Sequence, residues 1–363
     1  MDPNKQLWLD EWLMAARDIK LPVIFRGILI LLAAAMATCA VQPDHAGQLS
    51  QTQTKVIFDT DFGGDADDLG AIAMLHYYAD RGDIDLLAIT SWSNEKYAVP
   101  ALAAVNLFYG RPNLPLGVRE TDTWRTEWNY TKSIADQFPH DPKAVANAAP
   151  AVSLYRQLLA EAEPHSVTIV TVGPLANIRN LLRSAPDDVS ELSGEDLVEA
   201  KVNQVIILGG QFPNGITAHG PEWNFDGNMK GVTQEVITRI ERPIIFSGYE
   251  VGEALRYGAA LNQHPANTPL YVGYKYFSAH APWMKSAYQG KILDNASFDQ
   301  TAVMFAAING VGTHWTLSAR GTLSVDADGV GTWVESADGQ HRYMILTEDT
   351  AATISEIAAA MTH

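Results

Sequence analysis

The ten residues Asp59-Thr60-Asp61-Phe62-Gly63-Gly64-Asp65-Ala66-Asp67-Asp68 carry five carboxylates. Carboxylates that converge repel one another unless a cation or protons compensate them. A divalent ion resolves that repulsion, and an all-oxygen donor set favours calcium or magnesium over zinc. Gly63 and Gly64 give the backbone freedom to fold tightly around such an ion. A bound divalent ion lowers the pKa of its water, and a carboxylate within hydrogen-bond reach can then take the proton. A solvated acidic loop or a structural calcium loop would have similar composition. An EF-hand is excluded, because the glycine and the closing glutamate are misplaced. A phosphatase of the haloacid dehalogenase type also opens with a strand and DxD. It would carry Thr or Val where Gly63 stands, and its later lysine and paired acids are not found.

The elements around this cluster read as strand, acidic loop, helix. Val56-Ile57-Phe58 is an apolar run ending at Asp59, and Leu69, Ile72, Ala73, Leu75 and His76 recur at helical spacing between Leu69 and Ala79. The alternation continues with strands at 86–90, 167–172, 204–208 and 243–247, and with helices at 99–109, 152–161, 174–182 and 232–240. Strands apolar throughout, separated by amphipathic helices, predict an α/β fold with an open, mostly parallel, Rossmann-like sheet flanked by helices. Ligands of such sheets bind at the carboxyl ends of the strands. The cluster at 59–68, Gly173-Pro174 and Gly209-Gly210 all stand at strand ends and should share one crevice. Residues 316–346 read as C-terminal β-hairpins, with Asp328-Gly329 and Asp338-Gly339 as turns.

Of 363 residues, 47% are hydrophobic and 18% charged, the profile of a folded globular chain. With 25 Lys plus Arg against 42 Asp plus Glu, the net charge of -17 leaves no basic footprint for nucleic acid. A neutral or cationic small ligand or a metal ion fits better. Cys39 is the single cysteine, so there is no internal disulfide framework and no cysteine-rich zinc site. Arg17, Lys20 and Arg26 precede the apolar run Gly27 to Ala40, the pattern of an export leader too short for a comfortable membrane span. Cys39 follows Met36-Ala37-Thr38, where a bacterial lipoprotein carries its lipidated cysteine. Cleavage near Ala40 and an uncleaved anchor are the alternatives. The expected organisation is a leader or anchor at 1–40, a linker at 41–54 and a folded domain at 55–363, exported to the periplasm or anchored to a membrane. A homo-oligomer is compatible with the sequence.

Taken together, these segments carry a resemblance. DTDFGGDADDLGAIAML resembles the amino-terminal signature of the inosine-uridine nucleoside hydrolase family, in a longer DTDxGxDxDD form. VTIVTVGPLANI at 167–178 is similar to the family's metal-contacting strand end, and Gly209-Gly210 adds to the match. GPEWNFDGN at 220–228 is similar to its ribose-binding Glu-aromatic-Asn, and FDQTAV at 298–303 to its carboxyl-terminal His-Asp segment.

The resemblance implies calcium-dependent hydrolysis of the N-glycosidic bond of ribonucleosides or related N-ribosides. It implies that Asp61 is both a calcium ligand and the general base, that Asp68 is a second ligand, and that Asp65 holds the metal or the ribose hydroxyls. Two extra residues relative to the short family form leave the division among Asp65, Asp67 and Asp68 open. Val172 would offer its backbone carbonyl, and Asp299 would be the distant metal ligand. Glu222 and Asn224 would bind ribose hydroxyls, Trp223 and Phe298 would stack on the base, and Asn94 is a further ribose candidate. One departure stands out: Phe298 replaces the family histidine, so the imidazole that could protonate a departing purine is absent. His219, His280 and Tyr274, read as loop residues, are the substitutes. The rival reading is an exported, calcium-stabilised binder of ribose or nucleosides without catalysis. Asp61 favours an enzyme, because a binder needs metal ligands but no base.

Overall fold

A strand that is apolar at every position needs cover on both faces, and that requirement organises the whole sheet. The structure, a computed structural model, describes residues 53–121, 125–213, 215–227 and 229–363. The expected leader and nearly all of the linker lie outside them. The amino-terminal half runs β1 (Thr54–Thr60), α1 (Asp67–Arg81), β2 (Ile84–Ser91), α2 (Ala98–Phe108), β3 (Leu116–Val118), α3 (Thr131–Gln137), α4 (Pro142–Ala146), β4 (Ala149–Pro150) and α5 (Ala151–Glu161). The middle runs β5 (Val167–Thr171), α6 (Ala176–Arg183), α7 (Gly194–Lys201), β6 (Val202–Leu208), α8 (Trp223–Asp226), α9 (Val232–Arg239), β7 (Ile244–Ser247) and α10 (Tyr249–Glu253). Then come β8 (Arg256–Tyr257), α11 (Pro269–His280), β9 (Asn295–Ala296), α12 (Phe298–Ile308), β10 (Trp315–Leu317), β11 (Gly321–Val325), β12 (Gly331–Glu335), β13 (His341–Leu346) and α13 (Thr350–Met361).

Successive strand residues point to opposite faces, and the core divides accordingly. Val56 and Phe58 of β1 enter one hydrophobic core, and Ile57 enters the other. The split repeats at Val170 and Ile169 of β5, at Ile206 and Ile207 of β6, and at Ile245 and Phe246 of β7. Among the described residues, Gln53–His363 form one compact unit, and no helix is long and apolar enough to cross a membrane.

Among the described residues the sheet has eleven strands in the order β12-β11-β13-β7-β6-β5-β1-β2-β3-β4, with β10 paired to β13. From β13 to β4 every neighbouring pair is parallel. The chain steps outward from β1 through β2, β3 and β4, and β5 then takes β1's other flank. The carboxyl ends of β1 and β5 therefore bound a topological switch point, the place where open α/β sheets bind ligands.

The carboxyl-terminal strands depart from expectation at one turn. Asp328-Gly329 lies in the loop of a true hairpin, in which β11 pairs antiparallel with β12 and Asp326 accepts the amides of Asp328 and Val330 at 2.9 Å. After Asp338-Gly339 the chain does not fold back on β12. β13 instead lies parallel to β7 and antiparallel to β10 and β11. Burial explains the choice, because Met344 becomes fully buried there whereas β12 is a largely exposed edge.

Candidate active site

The site begins with a residue that never reaches the cavity. Asp59, fully buried in β1, accepts hydrogen bonds from Asn177 Nδ2 at 2.9 Å, Tyr155 OH at 3.2 Å and Thr90 Oγ1. These tie the end of β1 to α6, α5 and β2, although burial still pushes the Asp59 carboxyl up to about 6. Two residues on, Asp61 faces the cavity, and the indole of Trp223 donates to its Oδ2 at 2.9 Å. Burial, reinforced by the charges of Asp65 and Asp59, pushes Asp61 up to about 7. The backbone just beyond β5 presses against it: a Cβ on Gly173 would stand 2.8 Å from the Asp61 amide nitrogen. Gly63 turns the loop at φ +112°, where a Cβ would also meet Asn129 Nδ2 at 2.5 Å. Asp65 closes the loop, accepting from the amides of Ala66 and Asp67 and from Asn295 Nδ2.

The carboxylates that converge are Asp67, Asp68 and Asp299, whose nearest oxygens all lie within 4.8 Å of one another. Asp67 and Asp68 open α1, and Asp299 opens α12, which packs along α1. Asp67 accepts the amides of Asp68 at 3.1 Å and Asp299 at 3.4 Å, and Thr60 Oγ1 donates to Asp68. Burial, then mutual repulsion, holds all three well above the usual carboxylate range. Two helix N-termini offer partial positive charge, yet three buried anions need more. The donor set fits a hard divalent cation. Thus Asp67 joins Asp68 and Asp299 in this group, while Asp65 Oδ1 is engaged by protein donors.

Across the switch point, Asn224 Nδ2 donates to the carbonyls of Val172 at 2.9 Å and Leu208 at 3.2 Å, tying the ends of β5 and β6. Glu222 caps the short α8: its Oε1 accepts the Asn224 amide at 3.0 Å and its Oε2 the Gly210 amide at 3.1 Å. Burial pushes Glu222 up to about 7.

These groups wall a cavity of about 570 Å³. Asp61, Asp67, Asp299, Asn224 and Leu208 form its buried end. Trp283, 57% exposed, and His219 belong to its open end, with Trp128 edge-on to Trp283 at 5.5 Å. Phe298 lies 5.1 Å from the ring of Tyr249, and both line the cavity. No Lys or Arg is among the described lining residues.

Of the residues singled out in the sequence, Asp61, Asp65, Val172, Glu222, Trp223, Asn224, Phe298 and Asp299 line this cavity, and Asp68 stands behind it in the carboxylate group. Asn94 lies beyond the end of β2 and is not a lining residue. Tyr274 and His280 sit on α11, not on loops, and neither lines the cavity. Tyr274 is buried against Gln300, and exposed His280 stacks on Tyr276 at 4.0 Å. His219 does line it. Sequence reasoning missed Thr126, Trp128, Tyr249 and Trp283, which reach the cavity from separate segments with no shared motif.

The sequence model of the inosine-uridine preferring nucleoside hydrolases matches residues 56–342. No curated protein sequence matches. Among solved structures, a plant nucleoside hydrolase is similar with a TM-score of 0.63 at 19% identity, over 85% of this chain and 99% of its own. An inosine-guanosine nucleoside hydrolase gives 0.60 at 18%, over 85% and 98%. The type III effector XopQ, solved with adenosine diphosphate ribose, gives 0.57 at 14%, over 86% and 93%. Identities this low establish a shared fold.

Proposed function

Because the chain belongs to the inosine-uridine preferring nucleoside hydrolase family, and is an N-glycosyl hydrolase by that membership, we propose that it cleaves neutral ribonucleosides or related N-ribosides with calcium at its carboxylate cluster. The observation that carries this reading is the convergence of Asp67, Asp68 and Asp299 beside Asp61 at a sheet switch point. Asp61 and the Val172 carbonyl complete the proposed donor set, with Asp65 closing the loop beneath. When bound, the cation activates water by lowering its pKa.

Asp61 takes the proton of the attacking water. Its carboxylate faces the cavity beside the cluster, within the reach a general base needs, and the Trp223 indole fixes its orientation. Glu222 and Asn224 hold the ribose hydroxyls; the lone pairs of Glu222 not used by backbone amides remain for them. The surrounding carboxylates stabilise the positive charge that develops on the sugar ring. The lining argues for an uncharged substrate. A phosphorylated ligand, such as the adenosine diphosphate ribose of XopQ, would meet carboxylates and no Lys or Arg of the described lining. The proposal extends to location: the basic and apolar segment ending near Cys39 exports the domain, with or without a lipid anchor.

The test is a reducing-sugar assay of the full-length protein on inosine, adenosine, uridine and cytidine. Ribose release with calcium, its loss on chelation and its return on adding calcium are the expected results. Release from none of the nucleosides would overturn the reading.

A further inference from the structure

Breaking an N-glycosidic bond leaves negative charge on the departing base unless a proton reaches it, and Phe298 cannot supply one. The open end of the cavity holds few proton-bearing side chains. The Trp128 indole N–H is committed to the Gly64 carbonyl at 2.8 Å, and that of Trp223 to Asp61. Thr126 and Thr217 offer only alcohols. Burial holds the Tyr249 phenol above its ordinary range, so it releases its proton reluctantly. His219 is the one histidine among the described lining residues.

Its backbone is well anchored. Thr217 and Gly220 exchange amide bonds at 2.8 and 3.2 Å, closing a tight turn with His219 inside it. The Thr217 hydroxyl accepts the His219 amide at 3.1 Å and donates to the Gly220 carbonyl at 2.9 Å. Three residues later the same segment delivers Glu222, so one short stretch supplies both His219 and a residue of the proposed ribose site to the cavity lining. His219 is also exposed, which lets its ring exchange protons with solvent between turnovers.

We propose that His219 is the general acid that protonates the leaving base, a role that rests on the N-ribosyl hydrolysis proposed above. In the step, the C1′–N bond breaks and its electron pair goes to the base. The imidazolium N–H proton passes to a nitrogen of that base. Water oxygen bonds to C1′ and its proton passes to Asp61. Both carriers return to their starting states by exchange with solvent, so one water is consumed per bond broken.

The experiment compares inosine with 4-nitrophenyl riboside, whose phenolate departs without a proton, in full-length wild type, His219→Gln, His219→Ala and Tyr249→Phe. In both His219 variants the ratio of inosine to nitrophenyl turnover should fall about 10²-fold, and added imidazole should recover part of the inosine rate of His219→Ala. The nitrophenyl rate doubles as the check that each variant is folded. If wild type cleaves both substrates and the ratio is unchanged in both His219 variants, or if only Tyr249→Phe lowers it, the assignment of His219 is overturned while hydrolysis stands. If wild type cleaves neither substrate, the hydrolase reading fails and His219 loses its role with it.

Discussion

At its buried end the cavity is walled by carboxylates fixed to strand ends and helix N-termini, whereas its open end is walled by aromatic rings and a histidine carried on separate segments. The buried end is heavily cross-linked by hydrogen bonds: Asp61, Asp65, Asp67 and Asp68 each accept at least one, as does Asp59 behind them. The open end relies on ring contacts such as Trp128 with Trp283 and Tyr249 with Phe298. Preorganised charge is needed where bond-breaking charge develops, and adaptable surface suffices where a flat ligand is held. The two ends should therefore fail differently when altered.

The largest expected effect is at the buried end. Asp61→Asn keeps an oxygen for the Trp223 indole but cannot take a proton, so turnover of inosine should fall about 10³-fold with little change in melting temperature. A variant with wild-type turnover would remove Asp61 as the base. At the open end, Trp283→Ala removes a half-exposed ring that meets Trp128 edge-on. There KM for inosine should rise about tenfold, the equivalent of about 1.4 kcal/mol, with kcat nearly unchanged. A collapse of kcat instead would erase the distinction between the two ends.

The same contrast governs what the sequence disclosed. The central strands were legible because cover on both faces demands unbroken apolar runs such as Val56-Ile57-Phe58. β3 and β4, three and two residues long, are too short to carry a periodicity. The acidic segment was legible as a candidate cation site because carboxylates that converge need a compensating charge. Which of them converge was not legible: that depends on where α1 begins, and its start at Asp67 puts Asp67 and Asp68 in the first turn beside Asp299. Of the aromatic rings and histidine that line the cavity, only Trp223, His219 and Phe298 were legible. Trp128, Tyr249 and Trp283 are brought there by tertiary packing of segments far apart in sequence.

The smallest effect concerns how pH modulates the cation's contribution to stability. Asp59 is pushed up to about 6, and Asp61 and Glu222 to about 7, each chiefly by burial. A carboxyl whose folded pKa exceeds its unfolded value stabilises the fold below the unfolded value and loses that contribution as pH rises through the folded one. Metal-free protein should accordingly lose stability from these groups between about pH 5 and pH 8. A bound cation favours the charged carboxylates and removes that loss. Buried histidines act oppositely: burial lowers His76 to about 3 and His341 to about 4, so their contribution is present above the ordinary histidine value of about 6.5 and declines as pH falls below it. Their effect is common to both forms and cancels when the two are subtracted. The difference in melting temperature between calcium-loaded and chelated full-length protein should therefore widen by a few degrees from pH 5 to pH 8. Thermal scans of both forms across that range check it. A difference that stays flat, or narrows, would place the stabilising cation away from the carboxylates of the buried end and leave the two ends of the cavity alike in their indifference to charge.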